Sequence, residues 1–210
     1  MEKDQRLKRI KNHVKKQFEY DTTGHDFDHM KRVALWSRRI AGEEEIDPLL
    51  AEAAGWLHDI GDEKLFSNPD KAVEDRDRLL HDLDFTHFQR SEIEKAIETV
   101  SFRKGKKPTS ELGAVVQDAD RLDAIGAIGI ARAFTYGGAK GQSIDSEEKD
   151  TPSSIQHFHD KLVKLSGMMN TESGRREAMR RHRFMEMYLY EFNREKQIDR
   201  DIHLEEGHNG

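Results

Sequence analysis

The sequence predicts an all-α fold organised as a single domain, and three observations carry that expectation. Apolar residues recur three and four positions apart through most of the chain, and no stretch alternates convincingly as a strand does. Charged residues make up 36% and aromatic residues 8% of the 210 positions, a balance suited to amphipathic helices rather than to a sheet sandwich. Asp47-Pro48 and Thr151-Pro152 both place a capping side chain before a proline, the signature of a helix start.

The elements follow in order. Leu7, Ile10, Val14 and Phe18 mark a first helix over 3–20, and a polar turn with Gly24 follows at 21–27. Met30, Val33, Ala34 and Ile40 face inward on a second helix from about Asp28 to Ala41. The helix opened by Asp47-Pro48 is expected to end near Gly61 and to carry His58-Asp59 in its last turns. A loop at 62–70 precedes helices at 71–82 and 88–101, and a basic loop spans 103–108. One long helical pattern runs from Ser110 to Tyr136, where Gly126 and Gly129 would permit close packing, and Gly137–Gly141 breaks it. An acidic polar stretch leads to Asp150; Thr151-Pro152 then opens a helix to about Met169, and a last helix covers Ser173 to Lys196. The expected domain is 1–200, with the C-terminal helices at 151–198 packed on the rest and a polar tail at 201–210.

Composition narrows the chemistry. A net charge of −6 argues against a dedicated nucleic-acid binder. The absence of cysteine excludes disulfides, zinc–thiolate sites and thiol nucleophiles. A metal would be held by imidazole and carboxylate, which suits Mn, Fe, Co, Ni or Mg. With no signal peptide and no long apolar run, a soluble cytoplasmic protein is the default expectation.

The chemistry concentrates at His58-Asp59, set in the apolar run Ala53-Ala54-Gly55-Trp56-Leu57-His58-Asp59-Ile60-Gly61. Burying such groups is costly unless they pair or bind a metal. Two further stretches hold complementary donors, Gly24-His25-Asp26-Phe27-Asp28-His29 and Gln117-Asp118-Ala119-Asp120-Arg121-Leu122-Asp123. One histidine of the first, the central pair and one aspartate of the last would make a site of two histidines and two carboxylates, with positions left for water and substrate. His29, near the start of the second helix, suits the first place, while Asp118, Asp120 and Asp123 compete for the last.

These residues resemble the HD-domain phosphohydrolase superfamily: His29 in Asp28-His29-Met30-Lys31-Arg32-Val33, His58-Asp59 in Leu57-His58-Asp59-Ile60-Gly61, and Asp120 in Ala119-Asp120-Arg121-Leu122. The resemblance implies an all-α HD-type bundle, a divalent metal and hydrolysis of phosphate esters or anhydrides. It favours Asp120 as the fourth ligand beside His29, His58 and Asp59, and leaves Asp118 and Asp123 as supporting carboxylates. Tyr136-Gly137-Gly138 and the Arg-rich last helix look like a bacterial subgroup associated with nucleotide hydrolysis. Related nucleotidases carry a carboxylate after His-Asp, so Asp62 is the expected general acid or base, with Glu63 as runner-up. Asp62 lies four residues after His58 and would share its face if the helix continued.

A phosphate substrate needs cations, and Lys64, Arg121 and Lys140 in its Gly-rich loop are the candidates. His25 would donate to a phosphate or order a metal ligand. The arginines of the last helix read as a solvated face, and Phe184, Met185, Met187, Tyr188 and Leu189 as core packing. The expected reaction converts a nucleoside or deoxynucleoside triphosphate to monophosphate and pyrophosphate, with Mn2+ the first choice of ion. The alternatives are removal of the 3′-pyrophosphate from guanosine tetraphosphate and a metal-containing nucleotide sensor without turnover. The expected partner is a nucleotide or another phosphorylated small molecule, with no membrane, and a homodimer is compatible with the sequence.

Overall fold

The computed structural model describes residues 2–21, 24–100, 107–146 and 151–197. Among the described residues the chain is helical, with one isolated bridge between Ser143 and Ser153. The helices are α1 (Lys3–Phe18), α2 (Phe27–Glu43), α3 (Pro48–Leu57), α4 (Pro69–Asp82), α5 (His87–Glu98), α6 (Glu111–Asp123), α7 (Gly126–Ala139), α8 (Ser154–Asp160) and α9 (Glu172–Lys196). A 3₁₀ segment, Leu162–Met168, joins α8 to α9. Much of the basic loop expected at 103–108, the end of the acidic stretch and the tail at 201–210 lie outside the described residues. No described helix is long and apolar enough to cross a membrane.

The apolar positions read from periodicity form the core. Ile10, Val14 and Phe18 of α1 are buried together with Met30, Val33, Ala34 and Ile40 of α2. α2 and α3 form the most intimate pair, and Gly55 shows why. A Cβ there would lie 2.7 Å from both the Ala34 Cα and the Ser37 Oγ. Gly55→Ala is therefore expected to cost about 2 kcal/mol through overpacking, despite the better helix propensity of alanine. A lowered melting temperature checks this.

Three boundaries differ from expectation. α3 stops at Leu57, with His58 as its C-cap, so Asp59 and Asp62 lie in turns beyond the helix. Gly61 has φ +94°, a left-handed backbone conformation that ends any continuation, and a Cβ on it would meet Val73 Cγ2 of α4 at 2.5 Å. The long pattern at 110–136 is two helices, broken where Gly126 adopts φ +78°. α7 doubles back so tightly that a Cβ on Gly129 would sit 2.3 Å from the Ala124 carbonyl oxygen. The helix after Thr151-Pro152 begins later: Ser153 is the cap, accepting from Gln156 N, and the segment shortens into α8 plus the 3₁₀ turns.

The last helix packs on α6 and α7. Several of its arginines pair within the chain: Arg176 with Glu43, and Arg180 and Arg181 with Glu177. Met185 and Leu189 are buried as expected, but Phe184 and Met187 are exposed, because they lie off the stripe that faces α6 and α7.

Candidate metal centre

Local capping positions the two site histidines. Asp26 caps α2 and accepts from His29 N at 2.7 Å, which sets His29 in the first turn. His58 ends α3, and its Nδ1 lies 2.9 Å from the Gly55 carbonyl oxygen. A carbonyl only accepts, so that nitrogen carries the proton and Nε2 is left with its lone pair. His29 Nδ1 lies 2.7 Å from Asp123 Oδ2, and donation to this carboxylate again frees Nε2. Both Nε2 atoms are buried and lack a hydrogen-bond partner. Two orphaned imidazole nitrogens cost free energy unless something binds them.

They face carboxylates. His29 Nε2 is 3.7 Å from Asp59 Oδ2 and 3.6 Å from Asp120 Oδ1. His58 Nε2 is 3.3 Å from Asp59 Oδ1 and 3.8 Å from Asp120 Oδ1. Ligand atoms bound at about 2.1 Å to one ion lie about 3–3.5 Å apart at right to tetrahedral angles. The separations match that spacing to within a few tenths of an ångström, and His29, His58 and Asp120 form a geometrically competent metal triad. The residues present thus fit a divalent ion.

The supporting charges are well defined. Asp123 is buried, accepts both Nε and Nη2 of Arg32, and also bonds Arg132 Nη1 at 2.9 Å. Burial alone would raise its pKa, but the bonds from His29 and Arg32 and the charge of Arg132 hold it well below the usual carboxylate range. Burial opposes a charge on His29 too, yet the hydrogen bond to Asp123 and the negative charge of nearby Asp59 raise its pKa above the ordinary value. Burial likewise penalises ionised Asp59, and His58, His25 and His29 more than offset it, so its pKa falls well below the usual.

Asp118 points elsewhere. It accepts from Asn170 N at 2.9 Å, Thr171 N at 2.8 Å and Thr171 Oγ1 at 2.8 Å, fixing the start of α9. Its oxygens are occupied there, whereas Asp120 faces the imidazoles.

His58, Asp59 and Asp120 line a cavity of about 680 Å3, the size of a nucleotide pocket, with His29 buried behind them. Asp62 and Lys64 line it as well. One Asp62 oxygen accepts from Lys64 N at 2.9 Å. His25 lines the cavity too, and its Nδ1 lies 2.8 Å from Asp59 Oδ2, which steadies a ligand candidate.

Three expected residues lie off the cavity wall. Arg121 is one step, about 100°, round α6 from Asp120 and donates instead to the Met168 carbonyl oxygen. Glu63 is exposed in the turn after Asp62. Lys140 follows the end of α7 and rests over the Tyr136 ring at 5.8 Å. Residues that sequence reasoning passed over line the cavity, Arg76, Arg132, His157 and Lys161, as does Tyr136 of the Tyr136-Gly137-Gly138 string. Arg132 carried a readable signal, being the sole charge in the apolar run from Ala127 to Phe134. It donates Nη2 to the Gly24 carbonyl at 2.7 Å and ties the His25 turn to Asp123.

Comparison with known proteins agrees with this geometry. A family model described as HD domain matches residues 26–125. YpgQ of Bacillus subtilis strain 168 is 38% identical over 189 residues, 87% of this chain and 86% of that protein. The crystal structure of B. subtilis YpgQ in complex with ADP superposes with TM-score 0.78 at 35% identity, covering 90% of this chain and 97% of that one. An HD-superfamily hydrolase from Bacillus thuringiensis gives TM-score 0.77 at 34% identity, covering 93% and 99% respectively. With the HD domain model matching residues 26–125 and relatives aligned over nearly the whole chain, the protein belongs to the HD domain family.

Proposed function

We propose that the protein is a divalent-metal-dependent phosphohydrolase of nucleotides, cleaving a nucleoside or deoxynucleoside triphosphate to monophosphate and pyrophosphate. The observation that carries this reading is the pair of buried, unpartnered Nε2 atoms of His29 and His58 facing Asp59 and Asp120 at a nucleotide-sized cavity. The ADP held by the YpgQ relative supports a nucleotide as the substrate.

In this reading His29, His58, Asp59 and Asp120 hold the ion, and their imidazole and carboxylate donors suit Mn2+. The chemistry an ion adds when bound is acidification of water and polarisation of a phosphoryl oxygen. Asp62 lines the same cavity, and its oxygen not engaged by Lys64 N is available to take or return the proton. Lys64 and Arg132 offset phosphate charge in place of Arg121, and His25 fixes the orientation of Asp59.

A product assay tests the reading. Incubated with Mn2+ and a panel of ribo- and deoxyribonucleoside triphosphates, the protein is expected to release equal amounts of monophosphate and pyrophosphate. Release of orthophosphate alone would overturn the bond assignment.

A further inference from the structure

Arg76 is a buried cation that the catalytic reading does not use. Its side chain is 7% exposed, and its nearest carboxylate oxygen, on Glu94, is 4.0 Å away. Among the described residues its hydrogen bond is Nη1 to the Ile60 carbonyl oxygen at 3.2 Å. Guanidinium offers five N–H donors, and holding one out of water with so little compensation is costly. Two other observations locate it. Val73, one turn earlier on α4, presses on Gly61 at a distance that admits only glycine, so the helix is fixed against the turn following Asp59. Arg76 also lines the same cavity as His58, Asp59 and Asp120. A rigid guanidinium is thus anchored one residue beyond a metal-ligand candidate, on the wall of the substrate cavity.

We propose that Arg76 receives a second phosphate of the substrate, adjacent to the one drawn to His58, Asp59 and Asp120, and thereby selects phosphoanhydrides over single phosphates. This rests on the nucleotide-hydrolase reading and extends it to a specificity residue. A planar fork of N–H groups matches phosphate oxygens two at a time, and a desolvated one binds them most strongly. Glu94, half-exposed at 4.0 Å, weakly neutralises the cation while the cavity lacks substrate. An incoming anhydride provides closer acceptors.

Binding is measured by calorimetry with a triphosphate carrying a methylene group between its α and β phosphorus atoms, and with the corresponding monophosphate. Both are titrated with Mn2+ and again in EDTA. Because no turnover is needed, failure of the hydrolase reading leaves the outcome legible. Arg76→Met is expected to weaken the triphosphate analogue by about tenfold or more and the monophosphate by less than about twofold. Arg76→Lys, which keeps the charge but loses the fork, should recover part of the difference. Unchanged triphosphate affinity, or an equal loss for both ligands, overturns the proposal. If Arg76→Met does not fold, Glu94→Gln decides. Freed of its carboxylate neighbour, Arg76 should bind the triphosphate analogue about threefold tighter with monophosphate unchanged, and no gain in that variant overturns the assignment.

Discussion

Asp59→Ala is expected to lower nucleotide hydrolysis by about three orders of magnitude or more. The two oxygens of Asp59 divide their contacts: Oδ1 faces His58 Nε2 at 3.3 Å, and Oδ2 faces His29 Nε2 at 3.7 Å while holding His25 at 2.8 Å. Removing them takes away a ligand candidate and also releases the histidine that orients it. Steady-state assays across a metal series check the loss, and a cooperative melting curve separates damage to the site from damage to the fold. Undiminished hydrolysis by this variant would sink the mechanism.

The second large effect falls on Asp123. Its carboxylate joins α2, α6 and α7 through His29, Arg32 and Arg132. Asp123→Ala leaves two guanidinium groups and a buried imidazole without their shared acceptor, and about 3 kcal/mol of stability should be lost. For a chain of this size that is a fall of roughly 10 °C in melting temperature. Metal affinity should drop about 10- to 100-fold as well, because His29 loses the bond that fixes its tautomer. The pH dependence has a definite sign. The Asp123 pKa is depressed in the folded state, so its contribution is present above the unfolded value of about 4 and is lost as pH falls through the folded one. The native protein should lose this contribution on acidification, while the variant, already lacking it, should show a flatter profile. Equal acid sensitivity of the two proteins would contradict the network.

The helical fold and the polar pair at its centre are legible in the sequence. His58 and Asp59 stand out because polar groups in an apolar helical run need a ligand or a partner, whereas the choice of Asp120 over Asp118 and Asp123 comes from the family resemblance. Periodicity likewise gave the inward faces of α1 and α2, since a 3.6-residue repeat leaves little freedom in which residues are buried. What sequence could not supply was rotation and backbone sign. Whether Arg121 or Arg132 faces the cavity depends on how α6 and α7 are turned, and α7 is turned by the φ of Gly126. Asp62 falls in the loop expected at 62–70, and the positive φ of Gly61 rules out the continued helix on which it would have shared the face of His58. From that loop Asp62 lines the cavity. Arg76 shares a helix face with Val73 and Leu80, the same anomaly of charge on an apolar stripe that marks His58, but on a single polar helix it is masked by neighbouring charges.

Helix α6 has a consequence for how such a chain can change over time. Its aspartates at 118, 120 and 123 serve three neighbours: the start of α9, the cavity, and the His29 anchor. Each residue step turns a helix by about 100°, so one inserted or deleted residue between them would misdirect at least one of the three carboxylates. Substitutions on the outer surface of the molecule meet no such restriction. Lineages carrying this architecture are therefore free to diverge widely in composition, while this short segment resists any change in length.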